Sequence, residues 1–258
     1  MTTMRELSPD AVTLDERPIA RRVGLILLST DHTTETDFAR LVASDGIGVY
    51  AARVEYANPT TPKNLLAMRP RLADAVASIL PGSDLDAVCF SCSSASAVIG
   101  DAAVTEAVQA GKPGVAVVTP ALAAARALTA LGARRIAMLT PYLAETTRPL
   151  ADYAEAKGFE LAAVTCLGFD DDRVMARISR AALVEAAVAS MPDDAEALFI
   201  SCTALRAVSV VAEIETRIGR PVVTSNQATI WECLQHCDAS LDLANAGRLF
   251  GHKLAKAA

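Results

Sequence analysis

Aromatic side chains are scarce in this chain, with one tryptophan, four tyrosines and six phenylalanines among 258 residues. Its core must therefore be filled by Val, Ile, Leu and abundant Ala, as in layered α/β proteins with parallel sheets. Histidine occurs only three times, and Cys89-x-x-Cys92 has no second pair at zinc spacing, so neither a metal site nor a redox pair is expected. No apolar stretch approaches the roughly 20 residues that span a bilayer. The first 20 residues are polar, contain Pro9 and Pro18, and lack the apolar core of a signal peptide; they read as a flexible arm. Basic residues are scattered, as in Arg21-Arg22 and Arg134-Arg135, and the net charge is −6, which argues against nucleic-acid binding. No Gly-rich phosphate loop follows the first strand, because Gly24 lies inside it and the turn reads Ser29-Thr30-Asp31-His32-Thr33-Thr34. No G-x-S-x-G elbow occurs either. These absences predict a cytoplasmic protein with reduced thiols, no dinucleotide cofactor, no metal, and no nucleic-acid or membrane partner.

What is present is a repeat. Residues 86–98 read DAVCFSCSSASAV, and residues 196–208 read EALFISCTALRAV. At a constant offset of 110, Ala87 matches Ala197, Ser91 matches Ser201, Cys92 matches Cys202, and Val98 matches Val208. Arg22-Val23-Gly24-Leu25-Ile26 likewise resembles Arg135-Ile136-Ala137-Met138-Leu139, and Gly111-Lys112-Pro113 resembles Gly219-Arg220-Pro221. A unit this long is no solenoid repeat. It predicts two similar α/β lobes related by a pseudo-twofold, each with a parallel four-stranded sheet.

Strands are predicted at Val23–Ser29, Ile47–Val54, Ala87–Ser91, Val115–Thr119, Ile136–Thr140, Glu160–Cys166, Ala197–Ser201 and Val222–Thr224. Long helical stretches are predicted between them, including Lys63–Leu80, Ser94–Ala110, Val174–Ala189 and Leu205–Arg217. The expected division is an arm over 1–20, a first lobe over 21–120 plus 225–258, and a second lobe over 121–224. The tail from Asn226 onward is expected to be helical, capped by Asn226, and to cross back to the first lobe.

Ligands of open parallel sheets sit beyond the carboxyl ends of the strands, where Cys92 and Cys202 both fall. A thiol at a helix start feels positive partial charge, which favours the thiolate. Neighbouring N–H groups and the hydroxyls of Ser93, Ser94 and Thr203 suit a carboxylate. A lone cysteine is most simply a small buried apolar residue, but two at equivalent strand ends point to chemistry on two faces of one substrate. Cys89, Cys166, Cys233 and Cys237 read as packing residues. The cluster Asp31-His32-Thr33-Thr34-Glu35 is either a helix cap or a substrate contact through His32 or Thr33. Tyr142 either packs or donates to substrate. Asp170-Asp171-Asp172 reads as a solvated loop.

The two cysteine motifs resemble the paired signatures of the aspartate/glutamate racemase superfamily. GLILLSTDHTTETDF, AVCFSCSSASAVIG, LTPY, ISCTALRAV and VVTSNQATIW resemble its maleate cis–trans isomerase group, and most closely the EutA-type ectoine-utilisation proteins. The resemblance covers nearly all of residues 20–250. It implies an α/β protein of two flavodoxin-like lobes with the active site in the cleft between them, and a cofactor-free isomerase, either a racemase or a cis–trans isomerase, acting on a small carboxylate. An ectoine-pathway amino acid and a maleate-like diacid are both implied. Cys92 and Cys202 would be catalytic, and His32, Thr33, Ser93, Ser94, Tyr142 and Thr203 would bind substrate. Maleate isomerases carry an asparagine where His32 is aligned and another in the loop holding Asp170–Asp172. Arylmalonate decarboxylases, which keep one of the two cysteines, resemble the chain less well. Superfamily members are often oligomers, so a homo-oligomer is an open alternative. The competing classes are a non-catalytic two-lobed binding protein and a thiol redox protein working through Cys89 and Cys92.

Overall fold

A computed structural model describes residues 2–42, 46–239, 243 and 246–254. The apolar runs form two parallel sheets. The first contains β1 (Arg21–Leu28), β2 (Ile47–Val54), β3 (Ala87–Ser91) and β4 (Ala116–Val118), in the order β2-β1-β3-β4. The second contains β5 (Arg135–Tyr142), β6 (Glu160–Phe169), β7 (Ala197–Ile200) and β8 (Val222–Thr224), in the order β6-β5-β7-β8. The sequence repeat is thus a repeat of topology. In β1 every residue from Arg22 to Leu28 is buried, as expected for an inner strand covered on both faces. The outermost strands β2 and β6 are partly exposed along their length.

The connections carry α1 (Thr34–Val42), α2 (Pro62–Leu66), α3 (Leu72–Ala77), α4 (Ser93–Ile99), α5 (Asp101–Gly111), α6 (Pro120–Ala130), α7 (Ala144–Ala156), α8 (Asp172–Met175), α9 (Arg180–Ala189), α10 (Val211–Ile218) and α11 (Ser225–His236). Two of the predicted long helices are broken, each for a local reason. Pro70 lacks an N–H and turns the chain through a short 3-10 segment at Arg69–Arg71, which divides Lys63–Leu80. Gly100, at φ 88°, separates α4 from α5. Gly111 ends α5 against α3 so closely that a Cβ there would lie 2.3 Å from the Ala73 carbonyl oxygen.

The final helix holds the lobes together. It packs on α6, α1, β3 and β4 as well as on β8. Thr224, rather than Asn226, caps it, through a capping box with Gln227. Asn226 instead turns inward and donates to Asp37 Oδ2 (2.9 Å) and to the Thr203 carbonyl (3.0 Å). Glu232, fully buried, pairs with Arg126 of α6. The largest apolar cluster draws Leu25 and Val118 from the first sheet, Ile136 and Phe199 from the second, and Trp231 from α11. The helical expectation for the tail at 240–242, 244–245 and 255–258 lies outside the described residues. No described helix is long and apolar enough to cross a membrane.

Burial pushes the Asp37 carboxyl up to about 6, against the Asn226 hydrogen bond that lowers it. A carboxyl raised in the folded state favours folding at low pH, and that advantage is lost as pH rises from about 4 through about 6. Asp37→Asn keeps a partner for Asn226 and removes the buried charge. It is expected to raise stability near pH 8 by on the order of 2–3 kcal/mol, and to leave it nearly unchanged below about pH 4. Melting temperature against pH for both proteins checks this; a lower melting temperature for the variant near pH 8 would contradict it.

Candidate active site

Each sheet reverses its strand order between two neighbours, β1 and β3 in the first and β5 and β7 in the second. The chain leaves in opposite directions there, which opens a crevice at the carboxyl ends. Asp31 follows β1, Cys92 follows β3, Tyr142 ends β5, and Cys202 follows β7. The two crevices face each other. They enclose a cavity of about 20 Å³ lined by Cys92, Ser94, Tyr142, Cys202, Thr203 and Ala204, together with Leu28, Asp31, Tyr56, Thr60, Leu65 and Asp172. That is room for about one water, so a substrate enters only when the lobes part. A hollow of about 950 Å³ between α6, α11 and the C-terminal segment is far larger. It contains no thiol, and the nucleophiles place the chemistry in the small cavity.

The lobes close through hydrogen bonds between opposite loops. Asp172 accepts from Thr30 Oγ1 and from Asn58 Nδ2 (2.8 Å), and Thr60 N–H donates to the Asp170 carbonyl at 2.6 Å. Thr33 Oγ1 donates to the Thr203 carbonyl, and Thr203 Oγ1 to the Ser91 carbonyl at 3.3 Å. Ser93 Oγ donates to Ser225 Oγ (2.7 Å), which accepts from the Cys202 N–H (3.1 Å). A hydroxyl chain also runs between the thiols. Ser94 Oγ lies 3.8 Å from Cys92 Sγ, and the Tyr142 hydroxyl stands beside both Ser94 and Cys202.

The thiols are not poised as thiolates in this closed form. Burial pushes both Cys92 and Cys202 up to about 12, outweighing the N–H of Ala95 and the Ser94 hydroxyl at Cys92, and Tyr142 and the N–H of Ala204 at Cys202. Asp172 adds to the rise at both. The expectation of a thiol activated at a helix start is therefore overturned by desolvation. At Cys202 no helix begins nearby, since α10 starts only at Val211. Cys202 instead has φ 112°, a region that favours glycine, a strain that the surrounding loop must hold. Cys89 and Cys92 form no pair. Their odd spacing along an extended segment sends them to different apolar clusters.

Seven of the eight sequence-derived site residues sit as contacts or immediate supports in ways the motifs did not separate. Cys92, Cys202, Ser94, Tyr142 and Thr203 line the cavity. Thr33 and Ser93 are buried behind it and tie loops together. His32 is exposed and does not line the cavity. Asp31 takes the inward position, because its carboxylate accepts from the N–H groups of Thr33 and Thr34 (both 2.9 Å), and the next side chain is turned out. Asp172 is buried rather than solvated, whereas Asp171 caps α8 and pairs with Arg173. Tyr56 and Thr60 were missed. Their position after the carboxyl end of β2 is the signal that would have found them.

The sequence model described as arylmalonate decarboxylase matches residues 75–250. The chain is 26% identical over 240 residues to a maleate isomerase of Nocardia farcinica, covering 89% of this chain and 95% of that protein. It is 30% identical over 119 residues to an arylmalonate decarboxylase of Bordetella bronchiseptica, covering 45% of this chain and 50% of that protein. Among solved structures, a mutant Nocardia farcinica maleate cis–trans isomerase with a covalently bound succinylcysteine intermediate superposes with a TM-score of 0.81 at 26% identity, covering 89% of this chain and 98% of that one. Maleate isomerases and arylmalonate decarboxylases are thus both among the chain's relatives, the former matching over the greater share of its length. The chain belongs to the arylmalonate decarboxylase family.

Proposed function

We propose that this chain is a cofactor-independent isomerase acting on a small carboxylate, with Cys92 and Cys202 as its two reacting groups. The observation that carries the reading is the meeting of one thiol from each repeat in a single closed cavity, joined by the hydroxyls of Ser94 and Tyr142. In a proton-transfer route, one thiolate removes the α-proton, a planar carbanion forms beside the carboxylate, and the opposite thiol returns a proton to the other face. The two thiols exchange protonation states in each turnover, and no net proton is consumed. In an addition route, one thiolate attacks an alkene carbon, the new single bond rotates, and elimination restores the thiolate and the alkene in trans form.

The succinylcysteine captured in the Nocardia farcinica relative supports a nucleophilic thiol. The motif resemblance to EutA-type ectoine-utilisation proteins supports an amino-acid substrate and the proton-transfer route. Ser94, Tyr142 and Thr203 would contact substrate, while Thr33 and Ser93 would hold the two cysteine loops in register. The described cysteines are all unbridged, which fits a reducing, cytoplasmic setting. A purely ligand-binding protein finds no support in the relatives, which are named for enzyme activities.

Two outcomes are expected. Cys92→Ser and Cys202→Ser each lower turnover by about a thousandfold or more at unchanged melting temperature. Proton NMR in D2O across a panel of small carboxylates, including maleate, reads both α-proton exchange and cis–trans conversion. Full activity in either variant contradicts the two-thiol reading. In the resting protein, alkylation of Cys92 and Cys202 by iodoacetamide rises about tenfold per pH unit from about pH 7 to about pH 10 without levelling. Peptide mass spectrometry follows each site, and a plateau below about pH 8 contradicts burial as the controlling term.

A further inference from the structure

The cavity is lined by two carboxylates, two thiols and two phenols, and no cationic side chain lines it. Asp31 enters from the first lobe and Asp172 from the second, and both are buried. Among the described residues neither makes an ion pair. Asp172 is held by Thr30, Asn58 and no charged donor. Asp31 is held by the N–H groups of Thr33 and Thr34 and by the Thr34 hydroxyl (2.7 Å). Arg53, whose charge acts on Asp31, is spent on the Leu28 and Asp31 carbonyls and on Glu35, and Arg173, beside Asp172, pairs with Asp171. Buried carboxylates are ordinarily paired with a cation or shifted to the neutral form. Burial raises the Asp31 carboxyl, and a cation in the bound molecule is what would hold both acids in their charged form.

We propose that Asp31 and Asp172 form an acid clamp for an ammonium group, so that the substrate is a small amino-bearing monocarboxylate and not a dicarboxylate. The inference rests on reading this cavity as the active site. A dicarboxylate would set two more negative charges against Asp31 and Asp172 in a space closed to water, where like charges repel most strongly. An ammonium group supplies the countercharge from within. It also offsets the field of both acids at the thiols, making a thiolate easier to form when substrate is present than when it is absent. The substrate carboxylate then falls to the opposite side, where Ser94 and Thr203 offer neutral donors.

Hydrogen bonding alone does not require an acid at either position. An asparagine caps a helix as well as an aspartate, and its amide oxygen can accept from Thr30 or Asn58. Asp31→Asn and Asp172→Asn therefore keep shape and remove charge. The test is protection of Cys92 and Cys202 from iodoacetamide, read as the ratio of rates with and without ligand in each protein. The probes are 2,4-diaminobutyrate, 2,3-diaminopropionate and maleate. In the unmodified protein the diamino monocarboxylates are expected to protect at concentrations at least about tenfold lower than maleate. In each Asn variant that preference shrinks, and in the double variant it reverses. Stronger protection by maleate in the unmodified protein overturns the clamp. So does a preference that the Asn variants leave unchanged, or an absence of protection by every probe. Turnover in the Cys92→Ser and Cys202→Ser proteins tests the isomerase reading separately, so the two failures are distinguishable.

Discussion

Closing two lobes over buried polar groups requires that each lobe supply the other's missing hydrogen-bond partners. Everything at the centre of this protein follows from that requirement. Asp172 of the second lobe is satisfied by Thr30 and Asn58 of the first, and the Thr203 carbonyl of the second by Thr33 of the first. Ser225, at the start of the helix that returns from the second sheet, bridges the two cysteine loops. An unpartnered polar group in such a place would cost on the order of 1–3 kcal/mol, so the closed arrangement is held by many small terms. These are the bonds that must break together when substrate enters.

The same closure sets the reactivity of the thiols. Desolvation dominates every other influence on Cys92 and Cys202, and it keeps both protonated. The protein therefore does not store a thiolate in waiting. On the proposed reading, its nucleophile or base arises in the presence of substrate, when an added charge changes the balance inside the closed cavity. The strained backbone at Cys202 and the hydroxyl chain through Tyr142 fix where each sulfur sits when that happens.

Much of this was readable from the chain. The repeat around Cys92 and Cys202 gave two sheets of the same order, and the eight predicted strands are the eight of the structure, with ends moved by a few residues. The helices were less legible. Pro70 and Gly100 break apolar periodicities that continue on either side of them, and periodicity alone cannot detect the break. The site was legible where it is local and obscure where it is not. Cys92, Ser94, Cys202 and Thr203 belong to the repeated motif. Tyr56 and Thr60 follow the carboxyl end of β2, the one hint the chain offers, whereas Asp172 reaches the cavity because loops from opposite lobes meet, and nothing in its immediate sequence says so. Asp31 rather than its neighbour His32 lines the cavity: in a tight turn, neighbouring side chains point to opposite sides, and hydrogen bonds to Thr33 and Thr34 decide which turns inward.

The central claim is that Cys92 and Cys202 face one small space from two lobes. Reaction with dibromoacetone, whose two electrophilic carbons are separated by a single carbonyl, tests it directly. Digestion and mass spectrometry should recover the peptide of Cys92 joined to that of Cys202 as the main bridged product. Separate single adducts on the two cysteines, or a bridge from either one to Cys89, Cys166, Cys233 or Cys237, would contradict the account.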